Sequence, residues 1–207
     1  MTPPADSTGV PTGNFYDKYA ASNPLERRMM QGFFDSLNTM IDGLRPMTIL
    51  EVGVGEGEVL SRVMRRFPDA TARGVDLEDD RLAAIWRDRG LPVEVGDATS
   101  LQFEDHSVDL VLAIEVLEHI PDPERALREI ARVAKSDVVV SVPREPIWRL
   151  GNLARCRYVG ALGNTPGHVN HWNSGSFREF VHRELDVKTV LKPLPWTMIH
   201  ASVRQSA

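Results

Sequence analysis

The most constraining feature of this chain is the alternation of short apolar runs with amphipathic stretches between Thr48 and Val142. Thr48 to Val52 is an apolar run of strand length, and Glu58 to Phe67 has helical spacing that stops at Pro68. Ala72 to Asp76 reads as a second strand, and Asp79 to Arg89 as a helix closed by Gly90. Val93 to Val95 follows as a third strand. Val108 to Ile114 is a fourth, apolar enough to be buried on both faces. Pro123 to Lys135 predicts a helix with proline at its first position, and Asp137 to Val142 a fifth strand. Helical crossovers return the chain to the same edge, so such strands run parallel, with helices packed on both faces. The expected fold is therefore α/β, a doubly wound sheet in three αβα layers.

Both flanks depart from this rhythm. Phe15 to Leu44 carries Leu25, Met29, Met30, Phe33, Phe34, Leu37, Met40 and Ile41 at helical spacing, ending at Gly43 and Pro46. Arg144 to Trp172 is rich in Gly, Asn, Arg and aromatics and is poorly periodic. A helix is expected again over Ser174 to Leu185. Val187 to Leu191 and Met198 to Val203 then read as strands joined through Lys192-Pro193-Leu194-Pro195, a short connection that favours an antiparallel pair. The expected organisation is a flexible tail over 1–13 and one domain over 14–207. Within it, 14–45 forms a helical lid and 143–173 an insertion over the acceptor side.

Open parallel sheets bind ligands beyond the carboxyl ends of their strands, at the topological switch point. The first strand leads there into Gly53-Val54-Gly55-Glu56-Gly57. Glycines allow a tight turn and close approach of a ligand. The spacing Gly-x-Gly-x-Gly differs from the dinucleotide fingerprint. Glu51, two residues before the loop, repels a pyrophosphate and attracts a cation. Asp76 ends the second strand, where a carboxylate accepts from ribose hydroxyls, and Asp97 ends the third.

Glu51-Val52-Gly53-Val54-Gly55-Glu56-Gly57, Gly74-Val75-Asp76, Gly96-Asp97-Ala98 and Asp109-Leu110-Val111-Leu112 resemble the successive motifs of class I S-adenosylmethionine-dependent methyltransferases. The resemblance spans about Thr48 to Val142. It implies a Rossmann-like sheet of seven strands ending in an antiparallel hairpin, and S-adenosyl-L-methionine as cofactor. It places Glu51 near the amino group of the methionine part and packs Gly53, Gly55 and Gly57 on the cofactor. Asp76 would hold the ribose beside Leu77. Gly96, Asp97 and Ala98 would border the adenine, and Ile114 or Glu115 the sulfonium. Phe15-Tyr16-Asp17-Lys18-Tyr19 resembles the lid of related enzymes, with Tyr16 approaching the methionine end; a plain packing role for Tyr16 and Tyr19 is the alternative.

Methyl transfer from a sulfonium needs alignment above all. A hydroxyl acceptor also needs a base, or a metal that lowers its pKa. Glu115, Glu118 and His119 stand at i, i+3 and i+4, so one helical turn would align them. Two carboxylates and an imidazole suit Mg2+ or Mn2+. The Glu-x-x-Glu-His arrangement resembles the metal site of ubiquinone-pathway and small-RNA O-methyltransferases. In the latter a downstream histidine completes the set, which points to His168 in Gly167-His168-Val169-Asn170-His171-Trp172. The same phrase also resembles metal-free small-molecule methyltransferases, in which His119 or His171 would be the general base. Arg144, Trp148 and Trp172 are expected to line a pocket for a small polar acceptor such as a sugar; core packing beneath the loop is the alternative for Trp148 and Trp172. The alternatives are C- or N-methylation of a lipid or aromatic metabolite, and a cofactor-binding protein without chemistry.

Composition limits the partners. The net charge of -5 provides no strong basic field for nucleic acid or an anionic membrane. No apolar run approaches the ~18 residues that span a bilayer. The single cysteine, Cys156, forms no internal disulfide, which fits a cytoplasmic setting. The partner expected is a small acceptor molecule, with a homodimer as the assembly to test.

Overall fold

The computed structural model describes residues 24–154 and 159–204. Tyr16, the expected tail and Cys156 lie outside them.

Helix α1 (Pro24–Ile41) leads into strand β1 (Thr48–Val52). Then follow α2 (Glu58–Arg66), β2 (Thr71–Asp76), α3 (Asp80–Arg89), β3 (Val93–Val95) and β4 (Val108–Ile114). A tight helical turn, Leu117–His119, precedes α4 (Pro123–Val133) and β5 (Ala134–Pro143). The chain continues through α5 (Ile147–Ala154), α6 (Ser174–His182), β6 (Leu185–Leu191) and β7 (Trp196–Val203). One seven-stranded sheet has the order β3-β2-β1-β4-β5-β7-β6. The first five strands pair in parallel, and β7 runs antiparallel to both β5 and β6. The order reverses between β1 and β4, so the crevice falls where their carboxyl ends meet.

Period-two alternation divides the core between the two faces. Leu110, Leu112 and Ile114 of β4 pack with Phe33, Leu37, Ile41, Leu60 and Trp86 from α1, α2 and α3. Val111 and Ala113 pack with Leu127, Ile130, Phe177 and Phe180 from α4 and α6. Helix starts follow capping rules. Asp79 accepts from the Arg81 and Leu82 amides, Asp122 accepts from Arg125 ahead of Pro123, and Asn173 forms a capping box with Ser176.

Several expectations are corrected. Helix α4 ends at Val133, and β5 begins at Ala134, three residues before the expected Asp137. The segment after Pro143 contains helix α5, which hydrophobic periodicity did not reveal. Its inward side chains are Trp148 and Asn152, and both donate to the Thr165 hydroxyl. The buried face of this helix is thus partly polar.

Candidate active site at the carboxyl edge

The glycine loop leaves β1 through three left-handed residues, Gly53 (φ 77°), Gly55 (φ 54°) and Gly57 (φ 83°). Added Cβ atoms would stand 2.3 Å from Val116 at Gly53 and 2.1 Å from Leu91 at Gly57, so shape as well as conformation excludes side chains. Two polar ties fix the loop. The Trp86 indole donates to the Gly55 carbonyl at 2.7 Å, and the Gly55 amide donates to Asp76 Oδ2 at 2.6 Å.

Asp76 also accepts from the Leu77 amide through Oδ1 at 2.7 Å. Each carboxylate oxygen therefore holds a backbone amide and keeps a lone pair for a hydroxyl. Glu51 is 2% exposed, and its Oε2 has no hydrogen-bond partner. Burial raises its pKa well above the ordinary carboxylate range. The Asp76 charge adds to the rise, and the Leu60 amide opposes it. Burial likewise raises Asp76, against the amides of Gly55 and Leu77. Two adjacent acids, one with a buried oxygen lacking a donor, fit a ligand that brings an ammonium and a diol. Leu77 is 47% exposed beside them. Gly96 joins this edge through its amide to the Asp76 carbonyl. Asp97 uses Oδ1 to accept from the amide and hydroxyl of Thr99, and Ala98 packs on the core. Ile114 is buried at the end of β4.

Beyond β4 the expected Glu115, Glu118 and His119 triad separates. Glu115 takes a left-handed backbone (φ 58°), and a tight turn over Leu117–His119 replaces a regular helix. Glu115 accepts from Ser141 Oγ at 3.1 Å and from Trp196 Nε1 at 2.6 Å. It is corrected from metal ligand to a residue held by β5 and β7. Glu118, His119 and His168 do converge, with ligating atoms all within 4.8 Å of one another. Glu118 and His168 are buried. His119 Nδ1 lies 2.9 Å from the Gly167 carbonyl. A carbonyl only accepts, so Nδ1 carries a proton, while Nε2 lies 3.9 Å from Glu118 Oε1. The rings of His119 and His168 meet edge to face at 4.8 Å, and Trp148 stacks on His168 at 5.9 Å.

Backbone bonds hold the His168 loop against this turn. The amides of Val169 and Asn170 both donate to the Glu118 carbonyl, and the Asn170 side chain donates to the carbonyls of Leu117 and Ile120. Sequence reasoning missed Asn170, although it lies between the two histidines it helps to position. It also missed Trp196 as the partner of Glu115. His171 is outside the His168 group; its Nδ1 lies 3.8 Å from Glu145 Oε1. Trp172 turns onto Phe177 and Phe180, and Trp148 is buried against His168 and Trp196. Both are therefore held by packing contacts, as the alternative to an acceptor-lining role expects. Arg144 follows β5 at the same edge, its backbone bridged to Trp172.

This is a doubly wound α/β protein with a nucleotide-cofactor site at its carboxyl edge, and the comparisons with known proteins narrow the class. Residues 50–142 match the family model described as Methyltransferase domain. The chain is 31% identical over 160 residues to the ubiquinone biosynthesis O-methyltransferase of Neisseria meningitidis, covering 72% of this chain and 63% of that protein. It is 30% identical over 105 residues to ajmaline N-methyltransferase of Rauvolfia serpentina, covering 47% and 36%. Among solved structures, magnesium protoporphyrin IX methyltransferase of Synechocystis with bound SAH shares the fold at TM-score 0.67 and 14% identity, covering 89% of each chain. Residues 50–142 thus form a methyltransferase domain, and the relatives and the shared fold support its being of the class I S-adenosylmethionine-dependent type. It spans between 33% and 63% of the length of six curated relatives it matches. Among the described residues no helix is long and apolar enough to cross a membrane.

Proposed function

We propose that this protein transfers a methyl group from S-adenosyl-L-methionine to a hydroxyl of a small polar acceptor such as a sugar. The observation that carries the reading is continuity. The buried Glu51 and half-buried Asp76 lie on the same sheet edge as the Glu118, His119 and His168 group, separated by the short span from β1 to β4. When bound, the cofactor supplies an activated methyl on a cationic sulfur. Glu51 would hold its ammonium, Asp76 its ribose hydroxyls, and Leu77 with Ala98 its adenine.

His119 takes the acceptor proton at Nε2, since its Nδ1–H is committed to Gly167. His171 is the second candidate base; burial, then Arg149, lowers its pKa, against Glu145. Glu118, His119 and His168 also suit a divalent ion, and the bond from His119 Nδ1 to a carbonyl is the usual support for a ligating imidazole. The ion would lower the pKa of an acceptor hydroxyl. Two imidazoles and one carboxylate favour a borderline ion such as Mn2+ or Zn2+ over Mg2+. The loop over 144–172 would cover the acceptor.

The test is methyl transfer from labelled cofactor to a panel of hydroxylated small molecules. Product with wild type, and none with His119→Ala at retained cofactor affinity, is the expected outcome. Transfer to carbon or nitrogen acceptors alone would refute the O-methyl reading.

A further inference from the structure

Beyond the His168 loop, a second polar cluster centres on Glu145 and Arg149, two residues that the cofactor and proton-transfer roles above do not use. Glu145 follows β5 and has a side chain only 14% exposed. Its amide donates to the Trp172 carbonyl, which sets it alongside His171 and Trp172. Its Oε1 lies 3.4 Å from Arg149 Nε and 3.8 Å from His171 Nδ1. Neither contact is a hydrogen bond: both Glu145 oxygens and Arg149 Nε are buried without such a partner. Arg144 Nε and Asn164 Oδ1 are in the same condition. Gly163, the residue before Asn164, packs on the Arg149 backbone so closely that an added Cβ would collide with the Arg149 carbonyl oxygen.

We propose that Glu145 and Arg149, flanked by Arg144, Asn164 and His171, form an acceptor subsite for two adjacent hydroxyl groups, as on a sugar or cyclitol ring. The inference rests on the methyl-transfer reading and extends it to the acceptor's class. Glu145 and Arg149 form an ion pair at 3.4 Å, yet both oxygens of Glu145 and the Nε of Arg149 are left without a hydrogen bond. An anion would satisfy the arginines but face the Glu145 carboxylate. A cation would do the reverse. A hydroxyl both donates and accepts. Two adjacent ones can donate to the two oxygens of Glu145 while accepting from Arg144 and Arg149. Partial burial and the Arg149 charge lower the His171 pKa, against Glu145, which disfavours a further positive charge at this position. The location suits an acceptor: His171 is three residues beyond His168, in the loop bonded to the Glu118 carbonyl.

The experiment is saturation-transfer NMR on the full chain with S-adenosylhomocysteine bound. The probes are methyl α-D-glucopyranoside, cis-1,2-cyclohexanediol, cyclohexanol and inorganic phosphate. The glucoside and the cyclohexanediol, which both carry adjacent hydroxyls, should bind, and cyclohexanol and phosphate should not. Glu145→Gln should weaken diol binding about tenfold or more, the effect of losing a charged hydrogen-bond acceptor. Arg149→Met provides the same readout should Glu145→Gln fail to fold. Binding of phosphate in preference to the diols, or diol binding that neither variant weakens, overturns the proposal. S-adenosylhomocysteine affinity in the same samples is a separate readout. Its absence in wild type contradicts the methyltransferase reading, and its presence without diol binding contradicts the subsite alone.

Discussion

Glu51→Gln separates binding from stability. The substitution keeps the volume of a buried side chain and removes its charge. In the ligand-free protein, burial first and Asp76 second hold the Glu51 pKa well above the ordinary carboxylate range. A raised folded pKa gives stability that is fully present below the unfolded value and is lost as pH rises through the folded value. Across that window wild type loses up to about 1.4 kcal/mol per pH unit relative to a variant that cannot titrate. Above it, Glu51→Gln should be as stable as wild type or more so. Binding should move the other way. An ammonium pairs with the ionised carboxylate, and a hydrogen bond to a charged group contributes about 1.5–3 kcal/mol, so the variant should bind S-adenosylhomocysteine roughly 10- to 150-fold more weakly. Wild-type affinity should rise with pH through the same window, and the variant's should be flat. Calorimetric titrations over a pH series, with thermal melts of the ligand-free proteins, measure both. Unchanged affinity, or a variant as pH-sensitive as wild type, would refute the reasoning.

Other sites provide independent checks. His119→Ala should lower turnover by about 10²–10⁴-fold in a methyl-transfer assay while cofactor affinity changes little. Gly53→Ala places a Cβ 2.3 Å from Val116 at a φ of 77°, and should destabilise by about 1–3 kcal/mol in a denaturant melt. Asn170→Ala removes two hydrogen bonds to Leu117 and Ile120. It should speed amide exchange over 165–172 and reduce turnover more than global stability. Metal-stripped wild type should take up Mn2+ or Zn2+ more tightly than Mg2+, and His168→Ala should not; equal uptake by both proteins would end the metal reading.

The parallel half of the fold was legible because its signals are local. Proline stops, glycine caps and nearly continuous apolar strands mark each element between Thr48 and Val142. The acids proposed for the cofactor were placed together for a related reason: Glu51, Asp76 and Asp97 lie at or just past the carboxyl ends of β1, β2 and β3, and topology brings those ends together. The acceptor side was harder to read. Spacing alone put Glu115 with Glu118 and His119, but a left-handed residue at Glu115 turned it toward Ser141 and Trp196. Helix α5 was hidden because it buries Asn152 beside Trp148 against Thr165. Glu145 carried no sequence signal, since its significance lies in contacts with Arg149 and His171 across a loop.

The most direct measurement is a crystal structure with S-adenosylhomocysteine bound. The account predicts the methionine ammonium within hydrogen-bond reach of Glu51, the ribose hydroxyls on Asp76, and the sulfur facing the Glu118, His119 and His168 group. A ligand with its amino group elsewhere, or its sulfur turned away from His119, would contradict it.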